Sequence, residues 1–283
     1  MEDERVTVVV MSRDRCTELL TSLPRHDAPV VLVDNDSSNG TAAQVRSRFP
    51  QVTVVELAEN VGSLARTVGV ERARTPYVAF ADDDSWWSPG ALRTAAQVLA
   101  DHPRVAAVAG AILVGPQDRA DPMNAELARS PLHSPGLPGP RVLGFVACAT
   151  MVRRDAFLDV GGFDPLVRFP GEEEPVALRL AARGWSLVYV DDVVVHHHPS
   201  PARSSPQERA AAIARSSMTS ALLLRPWPDV LRRAGALAVG GRAQRRGLAR
   251  SLTTAHLALR RRRPVPEAVR RDLATVARSS GGR

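Results

Sequence analysis

Three aspartates in succession, Asp82, Asp83 and Asp84, close the apolar run at residues 77–81. Five apolar residues ending in carboxylates, with Pro89 and Gly90 close behind, predict a buried strand that carries acid groups to its C-terminal edge. That is the edge at which open α/β sheets bind ligands. On extended backbone, residues i and i+2 point the same way. Asp82 and Asp84 are therefore expected to face one site together, and two hard oxygen ligands at that spacing suit Mg2+ or Mn2+ carrying a phosphate. An acidic turn capping the helix that begins near Ser88 explains the same residues equally well. Two more clusters also end a strand or open a helix: Glu172, Glu173 and Glu174, and His196, His197 and His198. Taken singly, the glutamates read as first-turn residues favoured by the helix dipole, and the histidines as a solvated strand end. Taken together and in this order, they describe a site. Asp84 and a histidine hold a divalent ion, which neutralises the charge developing on a diphosphate leaving group. One of the three glutamates takes the proton of an attacking hydroxyl. The base must stand opposite the leaving group, so it comes from a different segment than the metal aspartates. A helix N-terminus keeps a carboxylate ionised but lowers its basicity, which burial or like-charge crowding would restore.

The elements that must position these groups alternate along the chain. Apolar and β-branched runs predict strands at 6–11, 30–33, 52–57, 77–81 and 105–113, with helices over 15–23, 41–48, 64–73 and 89–101. Pro89 stands at a helix start, where its missing N–H costs nothing, and the polar cluster at 34–40 is turn and N-cap chemistry. Strands alternating with helices of this length predict a doubly wound, mostly parallel α/β sheet. Residues 115–140 hold six prolines and little periodicity, as lids and binding loops do. Beyond them, 142–152 reads as strand, Gly161 to Asp164 as a turn, and the glutamates as the start of a helix closed by Gly184. Residues 185–190 and 193–195 read as two short strands. After Pro201 the chain becomes helical and rich in alanine and arginine, over 206–224, 228–238, 241–262 and 264–278.

Composition narrows the setting. The 283 residues suffice for one large core or a core with an appendage. There is no lysine, all 37 basic residues are arginine, and most of the surplus behind the net charge of +7 lies after residue 200. Cys16 and Cys148 lack metal-ligand spacing and lie in apolar surroundings, which suits a reduced, cytoplasmic protein. The acidic residues 1–5 and the short apolar run after them do not read as a signal peptide. No apolar stretch reaches the roughly 18 residues that span a bilayer.

In their order these residues carry a resemblance. The strand and turn at 6–15, including Ser12, resemble the opening of the family 2 inverting glycosyltransferases of the GT-A fold. Residues 31–37 are similar to that family's second strand with its nucleotide-recognising aspartate, here Asp34. The stretch from Glu59 to Gly69, with Arg66, resembles its loop and helix beside the nucleotide. Asp82, Asp83 and Asp84 match its DxD element, and Gly161, Gly162, Phe163 and Asp164 its acceptor-side turn. Glu172 and Glu173, followed by 178–180 and by Gly184 and Trp185, match the element carrying the base. Residues 193–196 match the strand and histidine that close the metal site. The resemblance covers residues 5–199. It implies that Asp34 bonds the nucleotide base and that Asp82 and Asp83 touch ribose or metal-bound water. It implies further that Asp84 and His196, with Asp82, hold the ion, and that Arg66 reaches the nucleotide. Glu173 stands where many members have an aspartate base and Pro175 where many have another aspartate, so the acting glutamate stays open among Glu172, Glu173 and Glu174. Of Trp86 and Trp87, one is expected to wall the sugar or acceptor, and Trp87 is assigned there with Gly162 and Phe163. Thr67 replaces a frequent asparagine.

These readings divide the chain into a nucleotide-sugar-binding catalytic domain, 1–200, and an arginine-rich helical extension, 201–283. The expected activity is metal-dependent transfer of a sugar, with inversion, from an NDP-sugar to an acceptor hydroxyl on a glycan, a lipid-linked glycan or a small metabolite. Mn2+ or Mg2+ is the expected cofactor. A nucleotidyltransferase of related layout is the alternative enzyme, and a non-catalytic carbohydrate- or lipid-binding module the alternative outside enzymes. Peripheral contact with the inner face of a membrane through the basic C-terminus is open, as is packing of those helices with their arginines in water. With no reading module and no aromatic interleaving, nucleic acid is not an expected partner.

Overall fold

A computed structural model describes residues 3–200 and 205–280. In chain order the elements are β1 (Val6–Ser12), α1 (Cys16–Ser22), β2 (Val30–Asp34), α2 (Thr41–Arg48), β3 (Thr53–Glu56), α3 (Leu64–Arg72), β4 (Tyr77–Asp82), β5 (Ser85–Trp87), α4 (Ala91–Asp101), β6 (Val105–Val114), β7 (Arg119–Ala120), α5 (Pro122–Ala128), β8 (Arg141–Val142), β9 (Thr150–Arg153), α6 (Arg154–Asp159), α7 (Glu173–Ala182), β10 (Ser186–His197), α8 (Pro206–Leu224), α9 (Trp227–Val239), α10 (Arg242–Arg260) and α11 (Glu267–Ser280). One sheet runs β3-β2-β1-β4-β9-β6-β10-β5, with β7 on β6 and β8 on β10.

The first four strands of that order are parallel, as the alternating pattern predicts. The sheet then turns mixed. β9 enters antiparallel between β4 and β6, and β5 lies antiparallel on the far side of β10. Residues 142–152, read as one strand, are instead the end of β8, a 3-10 turn at Ala147–Ala149 and the start of β9. The two strands expected at 185–190 and 193–195 are one, β10, interrupted by a register shift between Val190 and Val194. The proline-rich segment holds β7 and the single short helix α5, whose Asp121 side chain accepts from the Met123 N–H.

Period-two alternation loads both faces of the sheet. Val6, Val8 and Val10 of β1 pack with Leu19, Val45, Leu92 and Leu99 of α1, α2 and α4. Val9, Val31, Val33 and Phe80 pack on the other face with Val70, Phe157 and Leu180 of α3, α6 and α7. The C-terminal helices have a third core, in which Met218, Leu222, Leu223, Val230 and Val269 meet Leu166, Val167 and Leu178. Leu178 lies on α7. The helix that opens with the glutamates is thus held between the sheet and the C-terminal helices.

Candidate active site

Register alone lines up the edge. Ser12 pairs with Asp34 across β1 and β2, and Met11 pairs with Asp82 across β1 and β4. Asp34 and Ser12 therefore stand side by side where the parallel strands end, with Asp82 one position back, level with Met11. Asp34 is buried, and its carboxylate accepts the Ser37 N–H at 2.9 Å, which shapes the loop toward α2. Next to it, buried Asn35 ties in the second loop. Its amide donates to Asn60 Oδ1 at 3.1 Å and to the Gly62 carbonyl at 3.2 Å, and its oxygen accepts the Val61 N–H at 2.9 Å. The Ser12 hydroxyl donates to Asp83 at 3.0 Å, and the Ser22 hydroxyl donates to the Asp83 carbonyl at 2.7 Å. Asp83 thus turns back toward β1. Desolvation first, and then the charges of Asp82 and Asp84, push its pKa up to about 7.

Asp82 and Asp84 do face one point, and the third member there is His197. Ligand atoms of Asp82, Asp84 and His197 lie within 4.8 Å of one another. His197 Nε2 is 3.3 Å from Asp84 Oδ1. The Ser200 N–H donates to Asp84 Oδ2 at 3.2 Å, and the Arg15 guanidinium to the Ser200 hydroxyl at 2.6 Å, so the chain after β10 is tied over the aspartate. His196, the histidine expected in the metal set, is elsewhere. Its Nε2 is 2.9 Å from Ser88 Oγ and its Nδ1 is 2.8 Å from Asp118 Oδ1, and its ring stacks on Trp86 at 5.5 Å. Strand alternation is the reason. His196 and His198 both pack on Trp86, whose other neighbour is the Arg25 guanidinium 3.9 Å from the ring, while His197 between them takes the opposite side.

Behind the aspartates lies a buried ion-pair chain. The Arg66 guanidinium donates to Asp82 at 2.5 Å and to Glu172 at 3.2 Å. Both Arg66 and Glu172 are almost inaccessible, at 2% and 0% exposure. Desolvation opposes the charge of Arg66, but Asp82 and Glu172 outweigh it and hold the group protonated. Burial raises the Glu172 pKa, and Arg66 pulls it back. Arg66 therefore braces Asp82 against the glutamate helix and does not project into open space. Glu174 is also engaged, paired with Arg225 beyond the end of α8. Glu173 is the half-buried member of the trio that makes no ion pair among the described residues. It accepts the Ala147 N–H at 3.3 Å. Desolvation, then the neighbouring Glu172 charge, pushes its pKa up to about 7. Asp82, Asp84, Arg66 and Glu173 all act on the buried Cys148 thiol, whose pKa burial drives well up.

The three residues assigned to the acceptor side do not present a surface. Trp87 is 1% exposed and donates its indole N–H to the Phe80 carbonyl at 3.1 Å, so it is a core residue. Phe163 is fully buried against Phe80 and Phe157. Gly162 adopts φ 61°, and a Cβ there would stand 2.6 Å from Thr67 Oγ1. The Thr67 hydroxyl accepts the Phe163 N–H at 3.0 Å, which gives that replacement a role in holding the turn against α3. Trp86, not Trp87, is the tryptophan with accessible surface.

An open α/β sheet with acids along its C-terminal strand ends, a carboxylate–imidazole cluster and a separate carboxylate of raised pKa has the layout of an enzyme site. Residues 2–161 match Glycosyl transferase family 2, and the chain belongs to that family. It is a glycosyltransferase with the GT-A architecture, which sets aside the nucleotidyltransferase and the non-catalytic module. It is 27% identical over 229 residues to the N-acetylglucosaminyl-diphospho-decaprenol L-rhamnosyltransferase of Mycobacterium tuberculosis, covering 69% of this chain and 74% of the relative. It is 30% identical over 206 residues to the pre-mycofactocin glycosyltransferase of the same organism, covering 68% of this chain but 42% of the relative. Among solved structures, the S. aureus TarS fragment 1-349 in complex with UDP-GlcNAc superposes with a TM-score of 0.61 at 18% identity, over 95% of this chain and 83% of that one. The mannosyltransferase PcManGT from Pyrobaculum calidifontis, in complex with GDP-Man and Mn2+, superposes with a TM-score of 0.58 at 20% identity, over 99% and 76%.

Proposed function

We propose that the protein is a metal-dependent, inverting glycosyltransferase that moves a sugar from an NDP-sugar to an acceptor hydroxyl. The observation that carries this is the pairing of two sites of different character: the Asp82–Asp84–His197 cluster, and Glu173 without a cation partner. Two carboxylates and an imidazole at mutual distances within 4.8 Å could hold a divalent ion, and the carboxylate oxygens suit Mn2+ or Mg2+. A dication held there would offset the charge of the diphosphate as it leaves. Asp34, Ser12 and Asp83, at the strand ends beside the cluster, would line the nucleotide. Glu173 would accept the proton of the acceptor hydroxyl as its oxygen bonds to the anomeric carbon. The bond from that carbon to the diphosphate breaks on the opposite face, the nucleoside diphosphate departs with the electron pair, and the configuration inverts. A base with pKa near 7 combines a useful ionised fraction with basicity at neutral pH.

The two relatives with bound UDP-GlcNAc and GDP-Man support an NDP-sugar donor, and the name of the mycobacterial rhamnosyltransferase favours a lipid-linked diphospho-sugar acceptor. No helix among the described residues is long and apolar enough to cross a membrane. Peripheral contact is instead proposed through α10, which carries arginines and no acid. The test is to incubate the protein with Mn2+ and a panel of NDP-sugars and follow donor hydrolysis and the melting temperature. Absence of both hydrolysis and a nucleotide-dependent shift across the panel would remove this reading.

A further inference from the structure

Away from the strand ends, α8, α9 and α11 line a solvent-open cavity of about 670 Å³ that reaches Glu174 on the first turn of α7. Its charges are unbalanced in a specific way. It is lined by Arg225, Arg232, Arg233, Arg270 and Arg271 against Glu174, Asp229 and Glu267. Each carboxylate already has a partner among these arginines. Arg225 pairs with Glu174, Arg232 with Asp229 at 2.9 Å, and Arg270 with Glu267 at 2.7 Å. Arg233 and Arg271 are left without an acid among the described residues. The Ser217 hydroxyl also lines the cavity, and it is buried with no hydrogen-bond partner among the described residues. A helical serine ordinarily bonds a carbonyl of the preceding turn, so an orphaned hydroxyl on this wall marks a polar group awaiting one. Leu273 and Val276 supply an apolar side to the same space.

Two uncompensated guanidinium groups and a free hydroxyl recognise phosphate oxygens, and the planar donor fork of arginine suits them in pairs. The position matters as much as the charge. Glu174 is the next residue after Glu173, so the cavity wall and the proposed base share one helical turn. We propose that this cavity binds the phosphate or diphosphate group of the acceptor, and so holds the acceptor hydroxyl toward Glu173. The inference rests on the glycosyl-transfer reading and deepens it. It assigns the acceptor to the class of phosphate esters, with the apolar side of the cavity facing whatever chain the phosphate carries.

The experiment is calorimetric titration with inorganic pyrophosphate in EDTA at fixed ionic strength, which silences any metal-dependent diphosphate site. One binding event is expected, weakened by at least about tenfold in Arg233→Ala/Arg271→Ala and less in Ser217→Ala. Both arginines are exposed, so the variants should melt as the parent does. Absence of binding in EDTA, or equal binding by the double variant, would overturn the proposal. A second arm compares a soluble short-chain prenyl-diphosphate sugar with phosphatidylglycerol vesicles. Loss confined to the diphosphate sugar supports an acceptor site. Loss confined to vesicles would make the groups a lipid-headgroup contact and overturn it. The Mn2+-dependent UDP or GDP melting shift separates the two layers. If that shift is absent while pyrophosphate still binds, the transfer reading falls and the cavity remains an anion site without an acceptor role. If only the pyrophosphate signal is absent, the cavity proposal alone falls.

Discussion

At the scale of single residues, the site is an arrangement of carboxylates sorted by their partners. Glu172 is paired with Arg66 and Glu174 with Arg225, and Glu173, which has no such pair among the described residues, is the one proposed to act on a proton. Glu173→Gln should lower kcat by about 10²–10⁴-fold, the usual worth of a positioned base, while nucleotide binding persists. The activity of the parent should rise with pH through about 7, because the base must be ionised. Stability should run the other way. The folded-state pKa of about 7 exceeds the ordinary 4.5, so folding takes up a proton between those values. That contribution is complete below 4.5 and lost as pH rises through 7. Melting curves of the parent at acid and alkaline pH should therefore differ by more than those of Glu173→Gln; equal slopes would contradict the assignment. Arg66 makes a different prediction. Arg66→Ala strands Glu172 at 0% exposure, so it should cost about 3–5 kcal/mol in denaturant unfolding. The double variant Arg66→Ala/Glu172→Ala should lose less than the sum of the single changes.

At the scale of elements, the strand order explains what could be read in advance and what could not. Asp82 and Asp84 were legible because one strand and one turn carry them, and i, i+2 geometry needs no long-range knowledge. The parallel half of the sheet was legible for the same reason, since each helix returns directly to the next strand. The histidine was not. Three consecutive histidines fix a strand end but not which one faces inward. That depends on the register shift between Val190 and Val194, which the apolar pattern at 186–195 does not reveal. His197→Ala should therefore abolish Mn2+ binding, measured by titration, while His196→Ala should leave it largely intact; the opposite ranking would return the metal set to His196. Trp86 and Trp87 were indistinguishable by type, and strand parity put Trp87 in the core and Trp86 under His196. The starts of α8, α9 and α10 were legible from Pro206, Pro228 and Gly241, whereas α11 begins at Glu267 and not at Pro264, and the partners of these helices were not legible. Gly247 shows what fixes one of them. A Cβ there would stand 2.4 Å from the Ala211 carbonyl and 2.5 Å from Ala214 Cβ, so α10 crosses α8 at nearly backbone contact. Gly247→Val should force the helices apart and cost about 1–3 kcal/mol by overpacking, read as a fall in melting temperature. An unchanged melting temperature would mean that this crossing carries little of the stability.

At the scale of the whole molecule, charge is segregated along the chain. Residues 1–200 hold 19 arginines against 26 carboxylates, and residues 201–283 hold 18 against 4. The acidic part carries the strand-end cluster, whose metal would offset some of that charge, and the basic part has its own cavity and an outer helix face. On α10, Leu252, Leu257 and Leu259 are exposed beside Arg242, Arg245, Arg246 and Arg260, with no acid anywhere in the helix. Exposed leucines beside arginines, of which Arg246 and Arg250 also meet Glu208 of α8, suit the headgroup layer of an anionic bilayer, where the leucines enter and the guanidinium groups stay at the phosphates. Solvent alone would explain the arginines but gives the three leucines nothing to cover them. Sedimentation with phosphatidylglycerol vesicles should therefore carry the protein down at low salt and release it as ionic strength rises, because attraction between exposed charges is screened. Leu252→Glu/Leu259→Glu should cut that partitioning by about tenfold, since it removes buried apolar area and adds repulsion at once. These sites are 66% and 43% exposed, so the melting temperature should hold. Equal binding to neutral vesicles would point to non-specific adsorption, and full binding by the double variant would remove α10 from the contact. If the face behaves as argued, a lipid-linked acceptor would meet the enzyme at the membrane surface, with its phosphate beside the arginines of the C-terminal helices and its hydroxyl toward Glu173, while the water-soluble donor enters along the strand ends.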